Sequence, residues 1–172
     1  MAEERETTVT FLEMTADPHL HVPAPAGKMA LIRAEQPPVG FYRYLYHTVG
    51  HGYLWVDRRR LDDEALTAII HDAAVEIYVL YRNGWPAGYF ELDFRTMPEV
   101  GLEYLGIVPE ALGQGLGRYL LAQAIAMAWR REPERLIVQT CTLDHPKALP
   151  LYQRCGFVPY AQEAKTIVVD GD

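Results

Sequence analysis

Val108-Pro109-Glu110-Ala111-Leu112-Gly113-Gln114-Gly115-Leu116-Gly117-Arg118 is the stretch that decides the fold. Upstream, Glu99 to Val108 reads as a strand. Downstream, Gly117 to Arg130 is a long apolar helix. Glycines at alternate positions let a backbone approach a ligand closely. The helix behind them offers unsatisfied N–H groups and the positive end of its dipole. A strand, a glycine turn and a helix start in that order can cradle a diphosphate. A P-loop would need Gly-Lys-Ser/Thr, but Gly117 is followed by Arg118-Tyr119. A dinucleotide fingerprint would need glycine at position 118 and repeated strand–helix–strand units, and 118 is arginine.

The flanking segments set the class. Val75 to Tyr81 is a β-branched and aromatic strand, Asn83-Gly84 is a hairpin turn, and Pro86 to Phe94 is the returning strand. Arg135 to Thr142 is a strand, Pro146 to Arg154 a short helix, and Phe157 to Val169 closes in extended form. Strand, crossover helix, strand implies a parallel pair inside a mixed sheet. Towards the N-terminus, Thr8 to Leu12 and Lys28 to Arg33 read as strands, with a proline-rich loop from Asp17 to Gly27 between them. After Pro37-Pro38, the residues Phe41, Tyr42, Leu45, Tyr46 and Val49 have helical spacing. A second helix starts at Asp62 or Asp63, with Leu66, Ile69 and Ile70 on its apolar face. The fold class expected is α+β (mixed α/β), one domain over residues 1–172 with one central sheet.

A second motif lies downstream, Thr140-Cys141-Thr142-Leu143-Asp144-His145-Pro146-Lys147-Ala148-Leu149-Pro150-Leu151-Tyr152-Gln153-Arg154-Cys155-Gly156-Phe157. The glycine stretch resembles the first motif of the GNAT (N-acetyltransferase) superfamily, a Pro-Glu turn and then Gly-x-Gly-x-Gly opening a long helix. The downstream segment is similar to that family's next motif in Ala148, Leu151-Tyr152 and Gly156-Phe157. Two departures stand out: Leu112 where the family has Arg or Gln, and Asp144 where it has Asn. The likeness is good from Val75 to Tyr160 and rests on general layout before that.

The resemblance implies a mixed sheet flanked by helices, with a splayed parallel strand pair at the acyl-CoA site. It implies acetyl-CoA as cosubstrate, with no metal. It places the cofactor on Leu105, Ile107, Val108, Leu112, Gly113, Gln114, Gly115, Leu116, Gly117, Arg118, Asp144, Ala148 and Tyr152. Tyr152 takes the role of the acid, because a phenol near the sulfur can protonate a departing thiolate. Strand alternation puts Glu103, Leu105 and Ile107 on one face, so Glu103 is the leading candidate base, with Glu91 and Asp93 on the neighbouring strand as rivals. Tyr42 and Tyr46, with Arg43 and Trp55, fall where the family closes over the acceptor, so Tyr42, Tyr46, Glu91 and Asp93 are candidate substrate-binding residues.

The function expected is transfer of acetyl to a primary amine of a small molecule. A protein or peptide N-acetyltransferase and a non-catalytic CoA-binding module are the alternatives. Composition narrows the remainder. The 172 residues contain no serine, which excludes a serine nucleophile. A net charge of −7 argues against nonspecific nucleic-acid binding. Cys141 and Cys155 form no paired motif and read as reduced, packed thiols. His19-x-His21 and His71-Asp72 lack a third ligand at a recognisable spacing and read as surface histidines. Arg58-Arg59-Arg60 reads as a solvated turn. The acidic N-terminus and the absence of a ~20-residue apolar run favour a cytoplasmic protein without a membrane partner, with homodimer formation left open.

Overall fold

A computed structural model describes residues 2–169. Its strands are β1 (Glu3–Met14), β2 (Met29–Arg33), β3 (Val75–Arg82), β4 (Trp85–Asp93), β5 (Glu99–Ile107), β6 (Arg135–Cys141) and β7 (Val158–Val169). Its helices are α1 (Val39–Gly50), α2 (Asp63–Ile70), α3 (Leu116–Trp129) and α4 (Ala148–Arg154). The strands form one seven-stranded sheet in the order β2-β3-β4-β5-β6-β1-β7. Only β5 and β6 run parallel, joined by α3; the other neighbours are antiparallel.

Local chemistry places most of these boundaries. Asn83 and Gly84 have φ of 53° and 89°, the left-handed pair that a tight hairpin requires, and Arg82 pairs with Trp85 across it. Asp62 caps α2, its Oδ1 accepting from the Ala65 amide at 2.8 Å. β1 is longer than Thr8 to Leu12 suggests. Buried residues recur only from Thr7 onward, and the charged Glu3–Glu6 end is exposed, paired with the last residues of β7.

Two layers cover the sheet. On one face α1 buries Tyr42, Leu45, Tyr46 and Val49 against β4 and β5. On the other, α3 buries Leu120, Leu121, Ala124, Ile125 and Ala128. At its last residue, Trp129 Nε1 donates to Met14 Sδ at 3.2 Å, tying α3 to β1. The helix faces have a tight spacing at Gly106, where a Cβ would meet Val49 Cγ1 well inside van der Waals contact. A side chain there would push α1 away from the strand that leads to the glycine turn.

Candidate active site

β5 and β6 pair from Glu99–Arg135 to Leu102–Val138 and then part. Beyond that point β5 stays bonded to β4, from Tyr104–Glu91 to Ile107–Gly88, and β6 stays bonded to β1 as far as Cys141–Val9. The inner edge of β5 therefore turns unpaired backbone groups towards a cavity of about 740 Å³. This is the splayed pair. An extended chain with amide groups can bond to such an edge as a further strand would.

The glycine turn closes one end of this cavity. Val108 opens it and Pro109–Ala111 forms a 3₁₀ turn. Gly113 and Gly115 both have φ of 76°, and a Cβ on either would meet nothing within 4 Å. The left-handed backbone favours glycine there, and the space in front of it is open. Gly115 is the N-cap of α3 and offers no side-chain cap, so the first amides of α3 keep their hydrogen-bonding capacity. Gly113, Gly115, Leu116, Gly117, Leu105, Ile107, Ala148 and Tyr152 all line the cavity. Leu112 lines it too and is 43% exposed, an apolar side chain at the rim.

Three of the expected cofactor residues stand off the wall. Val108 is buried, and its amide donates to the Ala87 carbonyl at 2.9 Å. Gln114 and Arg118 are exposed and do not line the cavity. Asp144 does line it, but both of its oxygens are already bonded within the protein. Oδ2 accepts from Thr140 Oγ1 at 2.7 Å and the Cys141 amide at 3.0 Å. Oδ1 accepts from Trp55 Nε1 at 3.2 Å. The aspartate thus closes the turn after β6 and ties it to the segment that follows α1.

The shared face expected for Glu103, Leu105 and Ile107 is not what β5 adopts. Glu91 pairs with Tyr104, yet Leu92 pairs with Leu102, so Glu103 is the extra residue of a β-bulge. The bulge reverses the alternation. Leu105 and Ile107 pair with Phe90 and Gly88, while Glu103 sits beside Gly101 and Asp93 on the α1 face. Glu103 still lines the cavity. It makes no hydrogen bond or ion pair among the described residues, and its surroundings push its pKa up, first by burial and then through Asp93 and Glu91.

The other acceptor-side expectations divide. Tyr46 lines the cavity with Trp55 and Tyr104, their ring centroids 5.1–5.6 Å apart. Tyr42 and Glu91 do not: both are fully buried behind the wall, because α1 turns Tyr42 inward onto β4. The Tyr42 hydroxyl donates to Glu91 Oε1 at 2.6 Å, and Arg58 Nη2 donates to Glu91 Oε2 at 2.7 Å. Burial raises the Glu91 pKa, and the Arg58 cation and both hydrogen bonds offset that only in part. Asp93 is also off the wall; Arg95 clamps it with contacts of 2.8 and 3.0 Å and holds its pKa below the ordinary value against partial burial.

Arg58 is the residue that the sequence did not reveal. It belongs to no solvated turn: its side chain is 11% exposed, and it lies over the Tyr104 ring at 5.4 Å. Burial works against its charge, but Glu91 and the neighbouring tyrosines outweigh that and raise its pKa. The signal that could have found it is Glu91 itself, an acid between Phe90 and Leu92 in an apolar strand, which demands a buried cation.

Tyr152 comes from the middle of α4, is buried, and packs edge-on against Phe157 at 5.8 Å. Burial and the nearby Asp144 raise its pKa, so the phenol keeps its proton at neutral pH. The assembled cavity offers open left-handed glycines and a helix N-terminus at one end. A phenol stands on its wall, and a carboxylate of raised pKa is at the other end.

The model of the acetyltransferase (GNAT) family matches residues 42–157. No curated relative matches the chain. Among solved structures, a Drosophila protein aligns with 97% of the chain and 52% of its own length, at 14% identity and a TM-score of 0.70. A GCN5-related N-acetyltransferase from Sphaerobacter thermophilus aligns with 93% of the chain and 50% of its own, at 15% identity and a TM-score of 0.65. The chain thus spans about half the length of these two. An aminoglycoside acetyltransferase from an uncultured soil metagenomic sample, in complex with sisomicin, aligns with 74% of the chain and 87% of its own, at 14% identity and a TM-score of 0.60.

Proposed function

Because the chain belongs to the acetyltransferase (GNAT) family, we propose that it is an acetyl-CoA-dependent N-acetyltransferase acting on a primary amine of a small molecule. The observation that carries this reading is the convergence of the β5–β6 splay, the glycine turn and Tyr152 on one cavity. The open space before Gly113 and Gly115 fits a diphosphate laid against their amides and the start of α3. Leu105 and Ile107 lie on the unpaired edge of β5, where their backbone groups can bond to the amides of a pantetheine arm. Acetyl-CoA supplies the acyl group as an activated thioester.

The chain's own groups then handle position and protons. The cavity holds both reactants together, so that amine attack follows without a covalent enzyme intermediate. Glu103 accepts the proton that the amine loses as its C–N bond forms. The Tyr152 hydroxyl donates to the sulfur as the C–S bond breaks. Holding CoA at its diphosphate leaves the α1 side of the cavity to the acceptor.

A small acceptor is favoured over a protein one by the Trp55–Asp144 hydrogen bond, which links the acceptor wall to the turn after β6. Tyr53 reinforces that link by meeting the His145 ring at 5.7 Å. No helix among the described residues is long and apolar enough to cross a membrane, and we place the enzyme in the cytoplasm. Release of free thiol from acetyl-CoA, followed against a panel of small amines and short peptides, tests the reading. Turnover with small amines supports it. Turnover with peptides alone transfers the reading to a protein acceptor, and tight acetyl-CoA binding with no turnover makes the chain a binding module.

A further inference from the structure

The acceptor end of the cavity holds more fixed charge than transfer to a bare amine requires. Arg58 is the clearest case. The exposed remnant of its side chain lies on the cavity wall. Behind it, Glu91 and Tyr42 fix the guanidinium from within the core. A guanidinium carries five N–H donors in a planar fork. Among the described residues, Nη2 bonds to Glu91, and Nε is buried with no acceptor. Burying an ion pair costs more desolvation than the pairing readily returns, and a cationic amine would be served by an acid alone.

The other charges are arranged around Arg58. Arg95 lines the same end but is neutralised by Asp93. Glu103 lines it and has no ion-pair partner among the described residues. Arg58 and Glu103 lie within electrostatic reach of each other, with Tyr104 adjoining both. The end is therefore dipolar, with a rigid buried cation beside an uncommitted carboxylate.

Resting on the acetyl-transfer reading above, we propose that the acceptor is an amine bearing a carboxylate a few bonds away, as in an amino acid. Its carboxylate meets Arg58 and its amine faces Glu103. Glu91 and Tyr42 act as positioning residues, holding the guanidinium with part of its fork turned to the cavity. A carboxylate suits this place better than a phosphate. Glu91 already shares the Arg58 charge, and a dianion would also meet the fields of Asp93, Asp57 and Glu103.

The test uses the full chain and the twenty L-amino acids, each with its carboxamide, its decarboxylated amine where one exists, and O-phosphoethanolamine. The acetylated amino acids should exceed their carboxamides in kcat/KM by at least about tenfold, mainly through KM. Arg58→Gln combined with Glu91→Gln removes both members of the pair, leaving no uncompensated buried charge, and should bring that ratio to about one. Arg58→Lys keeps the charge without the fork and should leave an intermediate ratio. Equal use of acids and carboxamides by the unmodified protein overturns the inference while leaving the proposed function intact. So does a ratio that survives in the double variant, or a preference for O-phosphoethanolamine. Transfer to no amine overturns the proposed function itself. Calorimetry of N-acetyl amino acids against their carboxamides, with CoA present, then decides the inference alone: equal affinities refute it.

Discussion

The two ends of the cavity are built from different materials. The end proposed to hold the cofactor consists mostly of backbone: the left-handed Gly113 and Gly115, the uncapped start of α3 and the unpaired edge of β5. The end proposed for the acceptor consists of side chains from distant parts of the chain, with Arg58 and Glu91 33 residues apart in sequence. Backbone shape tolerates a change of side chain so long as glycine keeps its conformation. A side-chain network depends on every member, because losing one leaves its partner's charge or hydrogen bond unanswered in the core. The first end suits a cosubstrate shared by a family, and the second suits an acceptor that differs between members.

The contrast predicts where single substitutions should hurt. The largest effect belongs to the network. Arg58→Ala leaves Glu91 buried without its cation, and should lower stability by about 3–5 kcal/mol in denaturant titration. A loss under ~1 kcal/mol, as for exposed pairs, would mean that the pair is solvated and the ends are not so different. Next comes the phenol on the wall. Tyr152→Phe should lower kcat by ~10²-fold while acetyl-CoA affinity stays near normal, because only the hydroxyl is lost. A fall in affinity with kcat intact would make Tyr152 a packing residue of the cofactor end. Gly115→Asp places a negative charge and a side chain in the cradle, and should weaken acetyl-CoA at least about tenfold.

A subtler effect concerns Glu103. Burial, with Asp93 and Glu91 nearby, raises its pKa and so moves the acidic limb of the kcat/KM profile upward from where an ordinary glutamate would put it. Activity should fall as pH drops through that pKa, because the protonated acid cannot take a proton from the amine. In Glu103→Gln the limb should vanish and activity should recover towards high pH, where free amine is abundant. A limb unchanged in Glu103→Gln but lost in Asp93→Asn would move the base to β4.

The glycine turn was legible in the sequence because its geometry restricts residue type. Positive φ at Gly113, Gly115 and Gly84 favours glycine, and the Asp62 cap is a local hydrogen bond. The acceptor end was not, for two physical reasons. A bulge adds one residue and inverts every later face assignment, and nothing at Glu103 marks it, so Glu103 and Leu105 were expected on one face and lie on opposite ones. A run of three arginines also looks solvated wherever it occurs, and only the tertiary fold selects Arg58 for burial. The place of β1 between β6 and β7 was equally hidden, since strand order is set by pairing across the whole chain.

The claim that the cofactor end works through its backbone is open to direct measurement. Acetyl-CoA titrated into the ¹⁵N-labelled protein should shift the amides of Leu105, Gly106 and Ile107 on β5 and of Gly113 to Gly117 most strongly. Leu112→Ala should leave both the pattern and the affinity nearly unchanged. Shifts centred on the Arg58 and Trp55 segment, with the Gly113 to Gly117 amides silent, would contradict the account.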